Sequence, residues 1–163
     1  MEQMIKQNEA LAKLTMQFAV KKLGERELTG KNDGVFVRML QRWLANGLKW
    51  MDGQPWCATF ATWCMYQAAG VLKITPILNK NGSSTSIYAE AKKKGMLIAF
   101  PIPNCIGLMR GDGGTKGKTH HHTFLVQSVD KAGAVVHGID GNWKNAVSKS
   151  VHKISDCDFV VLA

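Results

Sequence analysis

Cys57 is the residue of this sequence whose setting favours covalent chemistry. It stands in PWCATFATWCMYQAAG, just after Pro55 and at the head of a run with no helix breaker before Gly70. Proline suits the first turn of a helix and glycine its end. Cys57 therefore falls in a first turn, where unpaired backbone N–H groups and the helix dipole favour a thiolate over a thiol. By 100° steps its face carries Phe60, Ala61, Cys64 and Ala68, an inward stripe that leaves Cys57 at the edge of the core. Cys64, about 10 Å further along the helix, reads as a small buried apolar residue.

A nucleophilic cysteine needs a base, and the candidates are His120, His121, His122, His137 and His152. In HTFLVQSV the alternation of a strand puts His122 on the face of Phe124 and Val126, the face expected to turn toward the central helix, with His121 pointing the opposite way. His122 is thus the expected base. A third group must orient it. The following strand, AVVHGID, leads into Asp140-Gly141-Asn142, where either the carboxylate or the amide could accept a hydrogen bond from the imidazole, although D-G-N is also a turn signal in its own right. An oxyanion would be held by the Cys57 N–H and a side chain just upstream. Gln54 is the nearest amide, and Trp56 is the other candidate contact for substrate. The run from His120 to His122 cannot converge on one ion, because adjacent strand residues point in opposite directions; no metal or other cofactor is expected.

Helices are expected to precede strands. Apolar residues recur at helical spacing from Gln3 to Leu23 until Gly24, and again at Val35, Val37, Met39, Leu40, Trp43 and Leu44 before Asn46-Gly47. The PWC helix is apolar on nearly every face and should be central. SSTSIYAEAKKKG reads as a short surface helix capped by serine. Beyond it CIGLMRG, HTFLVQSV, AVVHGID and DFVVLA are strand-like, separated by GDGGTKGK and DKAG turns. This order predicts one α+β domain over residues 1–163, an N-terminal helix (1–23) leading into a catalytic core (24–163) whose nucleophile helix packs on a C-terminal antiparallel sheet.

With 45% hydrophobic and 20% charged residues the chain can bury a core. No apolar run approaches the roughly 18 residues of a membrane span. The four cysteines are too sparse for a disulfide scaffold, lack zinc-ligand spacing and are expected to be mostly free thiols, the disulfide state of Cys105 and Cys157 being left open by the sequence. The N-terminal stretch does not read as a secretory signal. If the protein works outside the cytoplasm, where it is expected to be synthesised, something other than its own signal peptide is expected to get it there.

These stretches resemble the CHAP peptidoglycan hydrolases (cysteine, histidine-dependent amidohydrolase/peptidase), which are papain-like enzymes. LGERE and GKNDG before a helix are similar to the N-terminal segment of that family, PWCATFATWC to its nucleophile motif, HTFLV to its histidine strand, and IDGN to its Glu-Gly-Asn. Order and spacing agree over roughly residues 20 to 145. The resemblance implies a papain-like fold and hydrolysis of amide bonds in peptidoglycan, either between muramic acid and L-alanine or within the stem peptide or cross-bridge. Cys57 would be nucleophile, His122 general base, Asp140 its orienting group and Asn142 a polar supporter. Two positions depart from the family. Asp140 is one methylene shorter than the usual Glu, which leaves Asn142 as an alternative orienting group, and Phe124 replaces a usual Gly.

A formal net charge of +9 suits an enzyme held near anionic cell-envelope polymers. It also suits a nucleic-acid-binding module without catalysis, but the lysines are scattered and no RNA- or DNA-binding motif accompanies them, so no nucleic-acid partner is expected. The same site could also serve as a cysteine peptidase or acyltransferase on another substrate. An immunity or carrier protein is a further expected class of partner.

Overall fold

The computed structural model describes residues 2–111 and 119–162, with side chains from residue 6 onward. Four helices, α1 (Glu2–Val20), α2 (Val35–Leu44), α3 (Cys57–Leu72) and α4 (Ser84–Lys93), precede every named strand. The strands are β1 (Leu97–Ile98), β2 (Ile106–Arg110), β3 (His120–Asp130), β4 (Val135–Trp143), β5 (Ala146–Lys153) and β6 (Cys157–Val160). They form one six-stranded sheet in the order β1-β6-β2-β3-β4-β5, antiparallel at every pairing. The architecture is α+β, as the order of helical and alternating patterns requires.

The central position of α3 follows from its composition. Phe60, Cys64, Met65 and Ala68 are buried against α1, α2, β3 and β4, and a helix apolar on most faces has no stable place but between other elements. Its start differs from expectation by one step: Pro55 lies outside, Trp56 is the N-cap and Cys57 is the first helical residue. Its end lies beyond Gly70, because Lys73 takes the left-handed cap conformation at φ 55°. In α4, Ser83 caps the helix through a bond from the Ser86 N–H at 3.3 Å. Far from being only a surface helix, α4 buries Ser84, Ile87 and Ala91. The α1 helix packs on α3 through buried Leu11, Thr15 and Ala19.

Both faces of the sheet are apolar, and this corrects the expected orientation of His122. Leu125 and its cross-strand partner Ile139 join the core shared with α3, together with Ile106 and Leu108. Phe124 and Val126 point the other way, into a second cluster with Cys105, Val136, Cys157 and Phe159. His122 shares their face, as alternation demands, but it is not the face covered by α3. A sheet that is apolar on both sides gives alternation no means of saying which side meets the helix.

Two strands escape the sequence patterns. Only two residues long, β1 carries no periodicity. The β5 strand, AVSKSVHK, is polar enough to hide, and the turn before it is Lys144-Asn145, both with positive φ at 54° and 61°, which closes the β4–β5 hairpin in place of the usual Asn-Gly. The D-G-N turn signal is instead an irregularity within β4: the register shifts between Asp140 and Trp143, and Asn142 has φ 59°. Of the GDGGTKGK turn, residues 112–118 lie outside the described region.

Two glycines are fixed by space. A Cβ on Gly141 would come within 2.6 Å of Phe60 Cβ on α3, and one on Gly107 within 2.1 Å of Phe124 Cζ. Gly141→Ala should therefore push α3 off β4 and destabilise the fold by about 1–3 kcal/mol. Gly95→Ala, with no atom within 4 Å of its Cβ but φ at 69°, should cost about 1 kcal/mol from backbone strain alone. Thermal unfolding of the two variants checks the difference, and equal melting temperatures would contradict the packing argument.

Candidate active site

Three segments that are distant in sequence converge at the start of α3. The first is GERELTGKND. Its Glu27, buried, accepts from the Trp56 indole N–H at 2.9 Å through Oε1 and from the Asn32 N–H at 2.9 Å through Oε2. Gln41 of α2 donates through Nε2 to Asn32 O (3.1 Å) and to Gln54 O (2.8 Å). The loop leading into α3 is thus held from two sides. Trp56 is fully buried, edge-on to Phe36 and Phe60. This corrects its reading as a substrate contact: a ring at 0% exposure with its only N–H engaged is a wedge that sets the angle of α3. The Gln54 residue is exposed, its backbone fixed by the bond from Gln41.

Cys57 is 7% exposed. Burial alone would raise its thiol pKa, but a hydrogen bond and charge interaction with His122, with backbone hydrogen bonds from Thr123 and Ala58, bring it below the ordinary 9.0. The Thr123 contribution shows how the two elements meet: the first turn of α3 lies against the β3 backbone beside His122. Thr123 itself is buried, and its hydroxyl is 2.7 Å from that of Ser84 in α4.

His122 Nε2 lies 2.7 Å from Asp140 Oδ2. An ionised carboxylate only accepts, so Nε2 carries a proton and Nδ1 is the nitrogen left to face Cys57. Burial opposes a charged imidazole here. The bonds to Asp140 and to Cys57 outweigh it and raise the His122 pKa from 6.5 to about 9. Asp140 is fully buried, which would raise its pKa, yet hydrogen bonds from His122 and His152 hold it below the usual 3.8. The contacts of Cys57 with His122 and of His122 with Asp140 each favour the charged forms, so thiolate, imidazolium and carboxylate stabilise one another in line, a charge pattern suited to nucleophilic attack on a carbonyl.

The geometry decides between the two candidate orienting groups. Asp140 reaches His122 despite its short side chain, whereas Asn142 turns away at the β4 irregularity and donates through Nδ2 to Asn32 Oδ1 at 3.0 Å. Asn142 therefore ties β4 to the segment before α2 and does not touch His122. The positive φ that breaks the alternation after Asp140 is what re-aims it.

The remaining histidines separate as alternation predicts for the start of β3. His121 is exposed. His120 lies 2.8 Å from Asp158 Oδ2 through Nε2 and stacks on Tyr88 at 4.5 Å, with Arg110 on the same carboxylate; this cluster pins β2, β3 and β6 to α4. His137 is exposed. All four cysteines are buried and free. Burial raises the thiol pKa of Cys64 well above 9.0, and that of Cys105 and Cys157 to about 12, which leaves Cys57 as the reactive one.

Sequence patterns missed β5 as a contributor. Ser150 donates to Asp140 Oδ1 in a short hydrogen bond, and His152 Nε2 lies 2.8 Å from Asp140 Oδ2. The signal was the polar alternation of Ser148, Ser150 and His152 between exposed Lys149, Val151 and Lys153. Trp143 packs near both histidines, 5.2 Å from His122 and 5.0 Å from His152. Among the described residues, His122, Asp140 and His152 form the set able to offer a metal three ligand atoms, all within 4.8 Å. Their 2.7 and 2.8 Å separations are hydrogen-bond distances, shorter than the ~3.3 Å between ligand atoms around tetrahedral zinc.

Alkylation by iodoacetamide, followed by peptide mapping, reads the thiolate directly. Cys57 should react while Cys64, Cys105 and Cys157 do not. Its rate should hold as pH drops below 9.0 and fall only as the lowered thiol pKa is crossed, whereas His122→Ala should return the onset toward 9.0. An onset near 9.0 in the unmodified protein would contradict the charge arrangement.

Compared with models of known protein families, with curated proteins and with solved structures, the chain matches none.

Proposed function

We propose that this protein is a cysteine amidohydrolase or peptidase of the CHAP type, with a papain-like fold, that cleaves amide bonds in bacterial peptidoglycan. The observation that carries the chemistry is the line from Cys57 at the first position of α3, through His122, to the buried Asp140 at 2.7 Å. The PWC, HTFLV and IDGN resemblances add the substrate class. A net charge of +9 supports it, because long-range attraction would concentrate the enzyme on an anionic envelope.

The Cys57 thiolate attacks the amide carbonyl carbon, and the carbonyl electrons move to oxygen. The helix-start N–H of Cys57, with Gln54 as the nearest side-chain amide, is the proposed oxyanion site. As the C–N bond breaks, the proton on His122 Nδ1 passes to the leaving amine, leaving a thioester on Cys57 and a neutral imidazole. Water then gives its proton to His122 and its oxygen to the acyl carbon, which releases the carboxylic acid and restores thiolate and imidazolium. Asp140 stays ionised throughout and stabilises the charged imidazole. Asn142 supports the site from outside it, by holding β4 to Asn32.

Digestion of purified peptidoglycan with mass spectrometry of the released fragments tests the reading. New termini identify an N-acetylmuramoyl-L-alanine amidase or an endopeptidase. Cys57→Ala and His122→Ala should each lower release by about 10³-fold or more while the fold survives. Full activity in either would sink the mechanism. Rapid Cys57 alkylation without any fragment release would keep the nucleophile and discard the substrate, whereas an inert Cys57 with salt-sensitive DNA affinity would favour a binding module.

A further inference from the structure

We infer that His152 is a positioning residue of this site: with Ser150 it anchors the Asp140 carboxylate from β5, so that His122 keeps its Nε2 on Asp140 and its Nδ1 toward Cys57. The inference rests on the reading of Cys57 and His122 as nucleophile and base, and is independent of peptidoglycan as the substrate.

Asp140 has no exposed surface, so its charge must be compensated by protein donors. The structure supplies three. His122 and His152 both meet Oδ2 through Nε2, at 2.7 and 2.8 Å, and the Ser150 hydroxyl meets Oδ1. The two histidines approach one oxygen from different strands, β3 and β5, with Asp140 on β4 between them. Since the carboxylate accepts only, His152 is fixed as the Nε2–H tautomer. Without it, Oδ2 would have His122 as its single donor, and nothing on β5 would oppose rotation of the carboxylate about the Ser150 bond.

The surroundings of His152 are built around that bond. Its ring lies 4.2 Å from Phe124 and 5.0 Å from Trp143, and it is nearly fully buried. Phe124 is the cross-strand partner of Asp140, so one aromatic ring backs both groups. Gly138 leaves the room: a Cβ there would stand 2.8 Å from both Asp140 Oδ1 and Ser150 Oγ. A buried histidine that served only as filler would not need its polar edge directed at the same oxygen that orients the base.

The test needs no substrate. Cys57 alkylation is followed against pH in the unmodified protein and in His152→Ala, His152→Gln and Ser150→Ala, with near-ultraviolet circular dichroism as the check of folding. His152→Ala should move the alkylation onset up by about one pH unit, a tenfold loss of thiolate on the acid side. His152→Gln, whose amide N–H can still donate, should recover most of it. Long-range ¹H–¹⁵N spectra of the unmodified protein supply a reading that no variant's misfolding can spoil, and should show His152 as the Nε2–H tautomer.

An unchanged onset in folded His152→Ala, a glutamine variant no better than alanine, or an Nδ1–H tautomer would each overturn the inference. Stoichiometric zinc that blocks alkylation only when His152 is present would also overturn it, by making the cluster a metal site. Slow alkylation in the unmodified protein is a different failure, that of the nucleophile itself.

Discussion

A buried carboxylate is the constraint around which this site is organised. Asp140 has no access to water, and an ionised group in that position is tolerable only when donors surround it. Three donors, from β3 and β5, meet it on β4. The register of the three central strands is therefore not free. A slip of one residue on either neighbour would turn His122 or His152 to the opposite face and strand the charge. The interaction that fixes which ring nitrogen of His122 carries a proton is also one that locks the sheet.

From that point the arrangement of the helices becomes intelligible. The thiol of Cys57 must come against the β3 backbone beside His122, and α3 is brought there by apolar packing that leaves little choice. Phe60 rests on the bare backbone of Gly141, one residue after Asp140. Trp56, wedged beside Phe36 and Phe60 and tied to Glu27, sets where the helix begins. Glu27 in turn holds Asn32, and Asn32 holds both Gly53 and Asn142. A chain of hydrogen bonds thus links the turn before α2, the loop before α3 and the end of β4.

The same logic separates histidines that look alike. His120 and His122 are two residues apart and each meets an aspartate at 2.7–2.8 Å. One carboxylate is shared with Arg110, and its histidine stacks on a tyrosine, in a cluster that joins elements. The other is fully buried and adjoins the thiol, and only there does the imidazole face a group that can react. Distance to a carboxylate does not set the two histidines apart; what stands at the other ring nitrogen does.

The sequence by itself determined the helical first half, the stranded second half and the location of Cys57 at a helix start. These are local matters of period, breaker and cap, and a local pattern suffices to read them. Only the tertiary structure decided that Asp140 orients His122 and Asn142 does not, because a single positive φ at residue 142 re-aims the chain and alternation cannot foresee it. It also decided which sheet face meets α3, since both are apolar. The tertiary structure alone brought Glu27 to Trp56, and Ser150 and His152 to Asp140: hydrogen bonds between distant residues leave no period in the sequence, and the short polar strand that carries His152 has too little hydrophobic contrast to announce itself.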